Sequence, residues 1–173
     1  MIRKGSVVQE DQFTEIKLLV LDVDGVLTDG RVQLDSRGEE IKVFYSRDGY
    51  GLKALQRAGV EVAVITGRAS LALTRRMSEL GIEEVHQGVD DKGAVLDRLI
   101  RERGLGKEHV CCVGDDIPDI PMLARAGLGV AVNDAAMEVR DAATLVTRKP
   151  GGRGAVRELC ELILKAKGLW PVN

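Results

Sequence analysis

Short apolar runs alternate along this chain with segments whose apolar residues recur three and four apart. Lys17 to Val23 is too short for a helix and too uniformly apolar for a half-exposed strand, so it predicts a fully buried parallel strand. RVQLDSRGEEIKVFY alternates on both sides of a turn at Asp35 to Gly38, which predicts a β-hairpin and the one antiparallel piece of the fold. Helical spacing then covers Asp48 to Ala58, with Leu52 and Leu55 inward. Glu61 to Ile65 reads as a strand, Ser70 to Leu80 as a helix and Glu84 to His86 as a strand. Asp91 to Arg103 carries Val95, Leu96, Leu99 and Ile100 on one helical face, and Val110 to Val113 is again an apolar strand. Shorter units follow: a helix from Pro118 to Arg125, a strand at Leu128 to Val132, a helix near Ala135 to Asp141 and a strand at Thr144 to Val146. Ala155 to Lys167 is the last helix.

This alternation predicts an α/β fold, a doubly wound Rossmann-like parallel sheet with helices on both faces and a protruding hairpin. No repeat, low-complexity tract or long linker divides it. A single domain over residues 1–173 is expected, with an N-terminal extension at 1–15 and a Gly-rich segment plus C-terminal helix at 148–173.

Candidate chemistry falls where strands end, the edge at which open α/β sheets bind ligands. The first strand delivers Asp22 and Asp24, which leave the same side of an extended chain, and Gly25 then permits a turn. Two carboxylates this close call for a cation, and a hard divalent ion with oxygen ligands, magnesium above all, fits. A calcium loop would need an oxygen-bearing side chain and then glycine where this segment has Val26 and Leu27. The strand EVAVI ends in Thr66, Gly67 and Arg68: a hydroxyl, free N–H groups and a guanidinium, a set suited to a phosphate. Lys92 opens a helix where a phosphate could use a cation. The strand VCCV ends in Gly114, Asp115 and Asp116, with Asp119 just beyond, and at least one of these carboxylates is expected to cap a helix.

Composition changes this picture little. The chain has 173 residues, 45% hydrophobic and 30% charged, enough for one substantial core, and its net charge of -2 gives no argument for nucleic acid or an anionic membrane. No apolar run approaches a membrane span and MIRKGSVVQEDQF has no signal-peptide core, so a cytoplasmic location is expected. Cys111, Cys112 and Cys160 lack paired spacing and read as buried reduced thiols. His86 and His109 stand without zinc-type partners.

DVDGVLTDG, ITGR, Lys92 and GDDIPD, in this order and at these strand ends, resemble the four motifs of the haloacid dehalogenase superfamily of phosphotransferases. The resemblance runs from Lys17 to the last helix. It implies Asp22 as nucleophile, forming an aspartyl-phosphate, and Asp24 as the acid that protonates the leaving alkoxide and then deprotonates water. It implies magnesium held by Asp22, the main-chain carbonyl of Asp24 and Asp115, phosphoryl oxygens held by Thr66 and Lys92, and Asp116 orienting Lys92 or a metal-bound water. Such a site must lower the hydrolysis barrier by about 20 kcal/mol.

Many members of that superfamily cover the site with a cap domain. Here only the hairpin and one helix separate Asp24 from Thr66, and only a crossover helix separates Lys92 from Asp115, so no cap is expected. Val32, Leu34, Ile41, Val43 and Phe44 leave the hairpin with apolar edges, which predicts packing of hairpins from several protomers. YSRDGYGL, ITGR, QGVDDK, GDDIPDIP and TRKPGGRGAVRE are similar to a capless, homotetrameric branch whose substrate is 3-deoxy-D-manno-octulosonate 8-phosphate, a sugar-acid phosphate of lipopolysaccharide biosynthesis. That likeness implies a substrate shell of Tyr45, Ser46, Arg47, Asp48, Gly49, Lys53, Gly67, Arg68 and Arg76, with Asp24 and Lys92 shared. It also implies that Gly151 to Gly154 folds over a neighbouring protomer's site and that Arg153 reaches the sugar acid. Phosphatases of sialic-acid-type 9-phosphates share the architecture, but that branch favours acidic residues where Arg68 and Arg153 stand. From a different class, a receiver-like signalling module would carry its phosphoacceptor on a middle strand, and an assembly module would accompany a partner domain.

Overall fold

An apolar run without a polar side of its own must be covered on both faces, and LLVL meets that demand at the centre of a sheet. The computed structural model describes residues 2–3 and 10–171, so the extension expected at 1–15 lies in part outside the described residues. The elements are β1 (Ile2–Arg3), α1 (Glu10–Thr14), β2 (Leu18–Leu21), β3 (Gln33–Leu34), β4 (Glu40–Ile41), α2 (Ser46–Arg57), β5 (Glu61–Ile65), α3 (Leu71–Leu80), β6 (Glu84–His86), α4 (Lys92–Glu102), β7 (Val110–Gly114), α5 (Ile120–Arg125), β8 (Leu128–Ala131), α6 (Met137–Ala142), β9 (Leu145–Val146) and α7 (Ala155–Ala166). The sheet runs β1-β9-β8-β7-β2-β5-β6, and β3 with β4 forms a separate two-stranded ribbon.

From β2 the chain winds outward through α2, β5, α3 and β6. It then returns across α4 to β7 on the other flank of β2 and winds out again through β8 and β9. β2 pairs in parallel with β5 on one side and β7 on the other, in register Leu21↔Val64 and Leu21↔Val113. The winding therefore reverses between β2 and β7, where strand ends part and leave a crevice. α2 and α7 pack together on one face, α4 and α5 on the other. Leu18, Leu19, Val20 and Leu21 are all fully buried, as are Cys111 and Cys112 in β7 and Cys160 in α7. The three thiols are free, and burial pushes each well above its ordinary pKa.

One expectation needs correction. The hairpin is not the one antiparallel piece: Ile2 and Arg3 pair antiparallel with Val146 and Leu145, closing the edge that β9 would otherwise present. A two-residue strand has no periodicity to read, and the short α1 was likewise not anticipated. The hairpin itself forms as expected. Asp35 accepts from the main-chain N–H groups of Arg37 (2.8 Å) and Glu39 (2.9 Å), and Gly38 takes φ +79°.

The C-terminal helix α7 packs into the core through Val156, Leu159, Cys160, Ile163 and Leu164, all buried. Asp48 on α2 accepts from the main-chain N–H of Arg157 at 2.7 Å, capping α7 across 109 residues of chain. Burial pushes the Asp48 carboxyl up to about 6, against the Arg157 and Gly154 main-chain N–H groups. A carboxyl raised on folding contributes stability that is full below its unfolded pKa and is lost as pH climbs through the folded value. Asparagine does not titrate. The Asp48→Asn chain should therefore gain on the wild type by about 2–3 kcal/mol between pH 4 and pH 7, read as the difference in urea unfolding free energy. A difference that stays flat with pH would show that folding does not raise the pKa of this carboxyl.

Candidate active site

Each strand that borders the crevice ends in a chemically equipped residue. β2 leads into Asp22, and the Asp22 N–H donates to the Val113 carbonyl of β7 (3.1 Å), which locks the two strand ends side by side. β7 leads into Asp115, β5 into Thr66, and Lys92 begins α4. Together they line a cleft of about 450 Å³ with Asp24, Gly67, Arg68, Asp116 and Asp119. Gly25 has φ +87°, and a methyl group there would overlap the Asp115 carboxylate, so only glycine lets the β2 loop pass Asp115 this closely.

At the floor lies a buried ion cluster. Lys92 Nζ donates to Asp22 Oδ1 at 2.7 Å and to Asp119 Oδ1 at 2.5 Å. Asp119 Oδ2 accepts from the N–H groups of Asp115 (2.9 Å) and Asp116 (3.3 Å), so this carboxylate shapes the β7 loop as well as seating the lysine. Burial alone would lower the Lys92 ammonium's pKa, but Asp22 and Asp119 outweigh it and hold the group above its ordinary value. Burial, then the Asp119 charge, pushes the Asp22 carboxyl up to about 6 against the pull of Lys92. Burial, then Asp22, Asp119 and Asp116, pushes Asp115 up to about 8.

One ammonium thus faces more negative charge than it neutralises. Oxygens of Asp22, Asp115 and Asp119 lie within 4.8 Å of one another, a spacing that suits a divalent ion. Both Asp119 oxygens are already engaged by Lys92 and two N–H groups. Asp22 Oδ2 and the Asp115 carboxylate remain as the ligands with free lone pairs.

The fold has close counterparts. A profile of haloacid dehalogenase-like hydrolases matches residues 82–159. Over 153 residues the chain is 45% identical to the 3-deoxy-D-manno-octulosonate 8-phosphate phosphatase KdsC of Escherichia coli K12, spanning 88% of this chain and 81% of that protein. The chain belongs to the haloacid dehalogenase-like hydrolases. The Moraxella catarrhalis 3-deoxy-D-manno-octulosonate 8-phosphate phosphatase, crystallised with magnesium, phosphate and KDO, matches at 43% identity and a TM-score of 0.90, over 93% of this chain and 92% of that one. The cobalt-bound Haemophilus influenzae phosphatase matches at 40% identity and a TM-score of 0.88, over 93% and 96%.

Within this hydrolase fold the residues singled out from sequence fall into three groups. Asp22, Asp24, Thr66, Gly67, Arg68, Lys92, Asp115, Asp116 and Asp119 converge on the cleft. Asp116 does not orient Lys92: its Oδ1 accepts from the Ile117 N–H (2.8 Å), capping the turn at Ile117–Asp119, and Asp119 holds the lysine instead. Tyr45, Arg47 and Arg153 line a second, basic cavity of about 390 Å³ with Arg148, Lys149 and Arg157, which shares no residue with the first. Lys53 and exposed Ser46 lie on α2, Arg76 pairs with Glu79 on α3, Gly49 is buried against Arg76, and Asp48 is committed to α7.

The glycine-rich segment is docked on its own chain. Gly152 N–H donates to the Val26 carbonyl (2.9 Å), Gly151 N–H to Asp134 (2.9 Å), and only the Arg153 side chain stands out, 3.7 Å from Asp29. Glycines serve here because a Cβ at 151 or 152 would collide with the backbone of the β2 loop.

Sequence reading missed Glu40 and Lys42. Lys42 Nζ lies 2.5 Å from Asp24 Oδ1 and 3.2 Å from Glu40 Oε1, and Arg68 also donates to Glu40 at 2.8 Å. The signal was present in the hairpin's alternation, which sets Glu40 and Lys42 on the face opposite Ile41 and Val43.

Proposed function

We propose that this chain is a magnesium-dependent phosphomonoesterase that hydrolyses 3-deoxy-D-manno-octulosonate 8-phosphate to the free sugar acid and phosphate, a step of lipopolysaccharide biosynthesis. The observation that carries the reading is the switch-point cluster in which Asp22, Asp115 and Lys92 meet below Thr66.

Asp22 attacks phosphorus through one carboxylate oxygen and the ester P–O bond breaks, giving an aspartyl-phosphate. Asp24 gives its proton to the departing alkoxide, then takes one from the water that displaces phosphate from Asp22. Lys92 and Thr66 hold phosphoryl oxygens, and the Thr66–Gly67 main chain lies beside them. Asp22, Asp115 and the Asp24 carbonyl would hold magnesium, which offsets repulsion between carboxylate and phosphate. Arg68, half exposed at the mouth, meets the substrate's polar end.

The apolar side chains Val32, Leu34, Ile41 and Val43 are 44–68% exposed on the hairpin, which supports a homotetramer held through these ribbons. In such an assembly the basic surface of Tyr45, Arg47 and Arg153 completes a neighbouring protomer's cleft and receives the sugar-acid carboxylate. The location proposed for this work is the cytoplasm. No helix among the described residues is long and apolar enough to cross a membrane.

Phosphate release, with magnesium and in EDTA, from 3-deoxy-D-manno-octulosonate 8-phosphate and from a sialic-acid-type 9-phosphate tests the reading. Magnesium-dependent preference for the former is expected, by about 100-fold in kcat/KM, the range that one extra or missing small group in a pocket produces. Preference for the 9-phosphate would retain the chemistry and overturn the branch. Release from neither would favour a receiver-like or assembly role.

A further inference from the structure

Asp24 is held in an unusual way for a carboxylate at a solvent-open cleft. One oxygen, Oδ1, is taken by Lys42 Nζ, whose side chain is only 4% exposed. The other, Oδ2, is buried without a hydrogen-bond partner and lies 3.7 Å from Arg68 Nε. A buried acceptor without a partner is costly in a folded protein and calls for a ligand or water that the site itself admits. Lys42 is fixed in turn: Glu40 Oε1 accepts from it and from Arg68, tying the hairpin to the loop after β5. Alternation along the ribbon places Glu40 and Lys42 toward the cleft while Ile41 and Val43 face outward.

We infer that Lys42 is a positioning residue for Asp24: it engages Oδ1 so that Oδ2 alone is presented to the leaving oxygen and later to the attacking water. This rests on the phosphatase reading above. The proton transfers are unchanged, from Asp24 to the alkoxide and from water back to Asp24, and Lys42 exchanges no proton. The hairpin thereby sets the acid's aim, and contacts on its apolar outer face bear on chemistry at its inner face.

The test separates aim from folding and from binding. Lys42→Met and Lys42→Arg are compared with the wild type on two substrates in magnesium: 3-deoxy-D-manno-octulosonate 8-phosphate, whose alkoxide needs a proton to leave, and p-nitrophenyl phosphate, whose phenolate leaves without one. kcat/KM reports the steps through leaving-group departure. With Lys42→Met it should fall about 100-fold on the sugar phosphate, in the range general acid catalysis supplies, and at least tenfold less on the aryl phosphate. The sugar-phosphate loss should appear in kcat with KM changed by less than about threefold, and Lys42→Arg should recover part of it. Equal losses on both substrates, or a loss confined to KM, would overturn the positioning role while leaving the phosphatase intact. A wild type inactive on both would overturn the phosphatase reading and this inference with it.

Discussion

Asp22→Asn should lower kcat by about 10⁴-fold or more, while the variant melts no lower than the wild type in EDTA. The two halves of this result come from one atom pair. An amide cannot attack phosphorus, so no aspartyl-phosphate forms. Yet the amide oxygen of the introduced asparagine can still accept from Lys92 Nζ, where Asp22 Oδ1 does at 2.7 Å. Burial and the neighbouring Asp119 raise the Asp22 carboxyl to about 6, which means its ionised form is disfavoured by folding at neutral pH. Stability from a raised carboxyl is present below its unfolded pKa and lost as pH rises through the folded value, so above about pH 6 the wild type bears a cost that asparagine removes. Magnesium should reverse the order. The ion binds only the folded chain and raises its melting temperature by mass action, more for the wild type than for a variant lacking one carboxylate. Thermal melts in EDTA and in magnesium, alongside phosphate release, check both halves. Turnover within about 100-fold of wild type would remove Asp22 from the nucleophile's role.

How much of this was legible beforehand follows the range of the interactions involved. Glu61–Ile65 coincides with the strand read from the sequence because burial on both faces of a parallel strand is written into consecutive residues, and the half-buried edge strand Glu84–His86 coincides as well. The convergence of Asp22, Thr66, Lys92 and Asp115 was legible too, since all stand at strand or helix ends on the same edge of a parallel sheet. What could not be read was pairing between distant polar groups. Asp116 and Asp119 are chemically equal in the sequence, and only the turn at Ile117–Asp119 turns the second toward Lys92 and leaves the first to cap a main-chain N–H. Asp48 sits in a motif that reads as substrate-binding, and its Oδ1 also accepts from the Arg157 N–H across the α2–α7 contact. The glycines at 151 and 152 read as a flexible arm, but close backbone approach to the Val26–Asp29 loop is what requires them. Lys42 was hidden because the hairpin was read only for its apolar residues.

Lys92→Met should cost about 3–5 kcal/mol at pH 7.5 in EDTA, lowering the melting temperature by roughly 10 °C or more in a chain of this size. The side chain is 6% exposed and lies between Asp22 Oδ1 and Asp119 Oδ1, so its loss leaves two buried carboxylates facing each other without a cation. Methionine fills the stem's volume, which confines the cost to charge rather than cavity. Because the remaining burden is ionised carboxylate, acidification to pH 5 should narrow the gap between variant and wild type as Asp22 takes up its proton. Magnesium should narrow it as well, by restoring a positive charge at Asp22 and Asp115. Activity should not recover with either, since in the proposed mechanism Lys92 also holds a phosphoryl oxygen, and a donor to the developing charge contributes about 10²–10³ in kcat. A variant that melts within about 3 °C of the wild type at pH 7.5, a loss below about 1.5 kcal/mol, would mean that Asp22 and Asp119 are not both charged in the folded chain. In that event the lysine would act on the substrate alone, and the excess of negative charge that makes this crevice a magnesium site would arise only when the metal arrives.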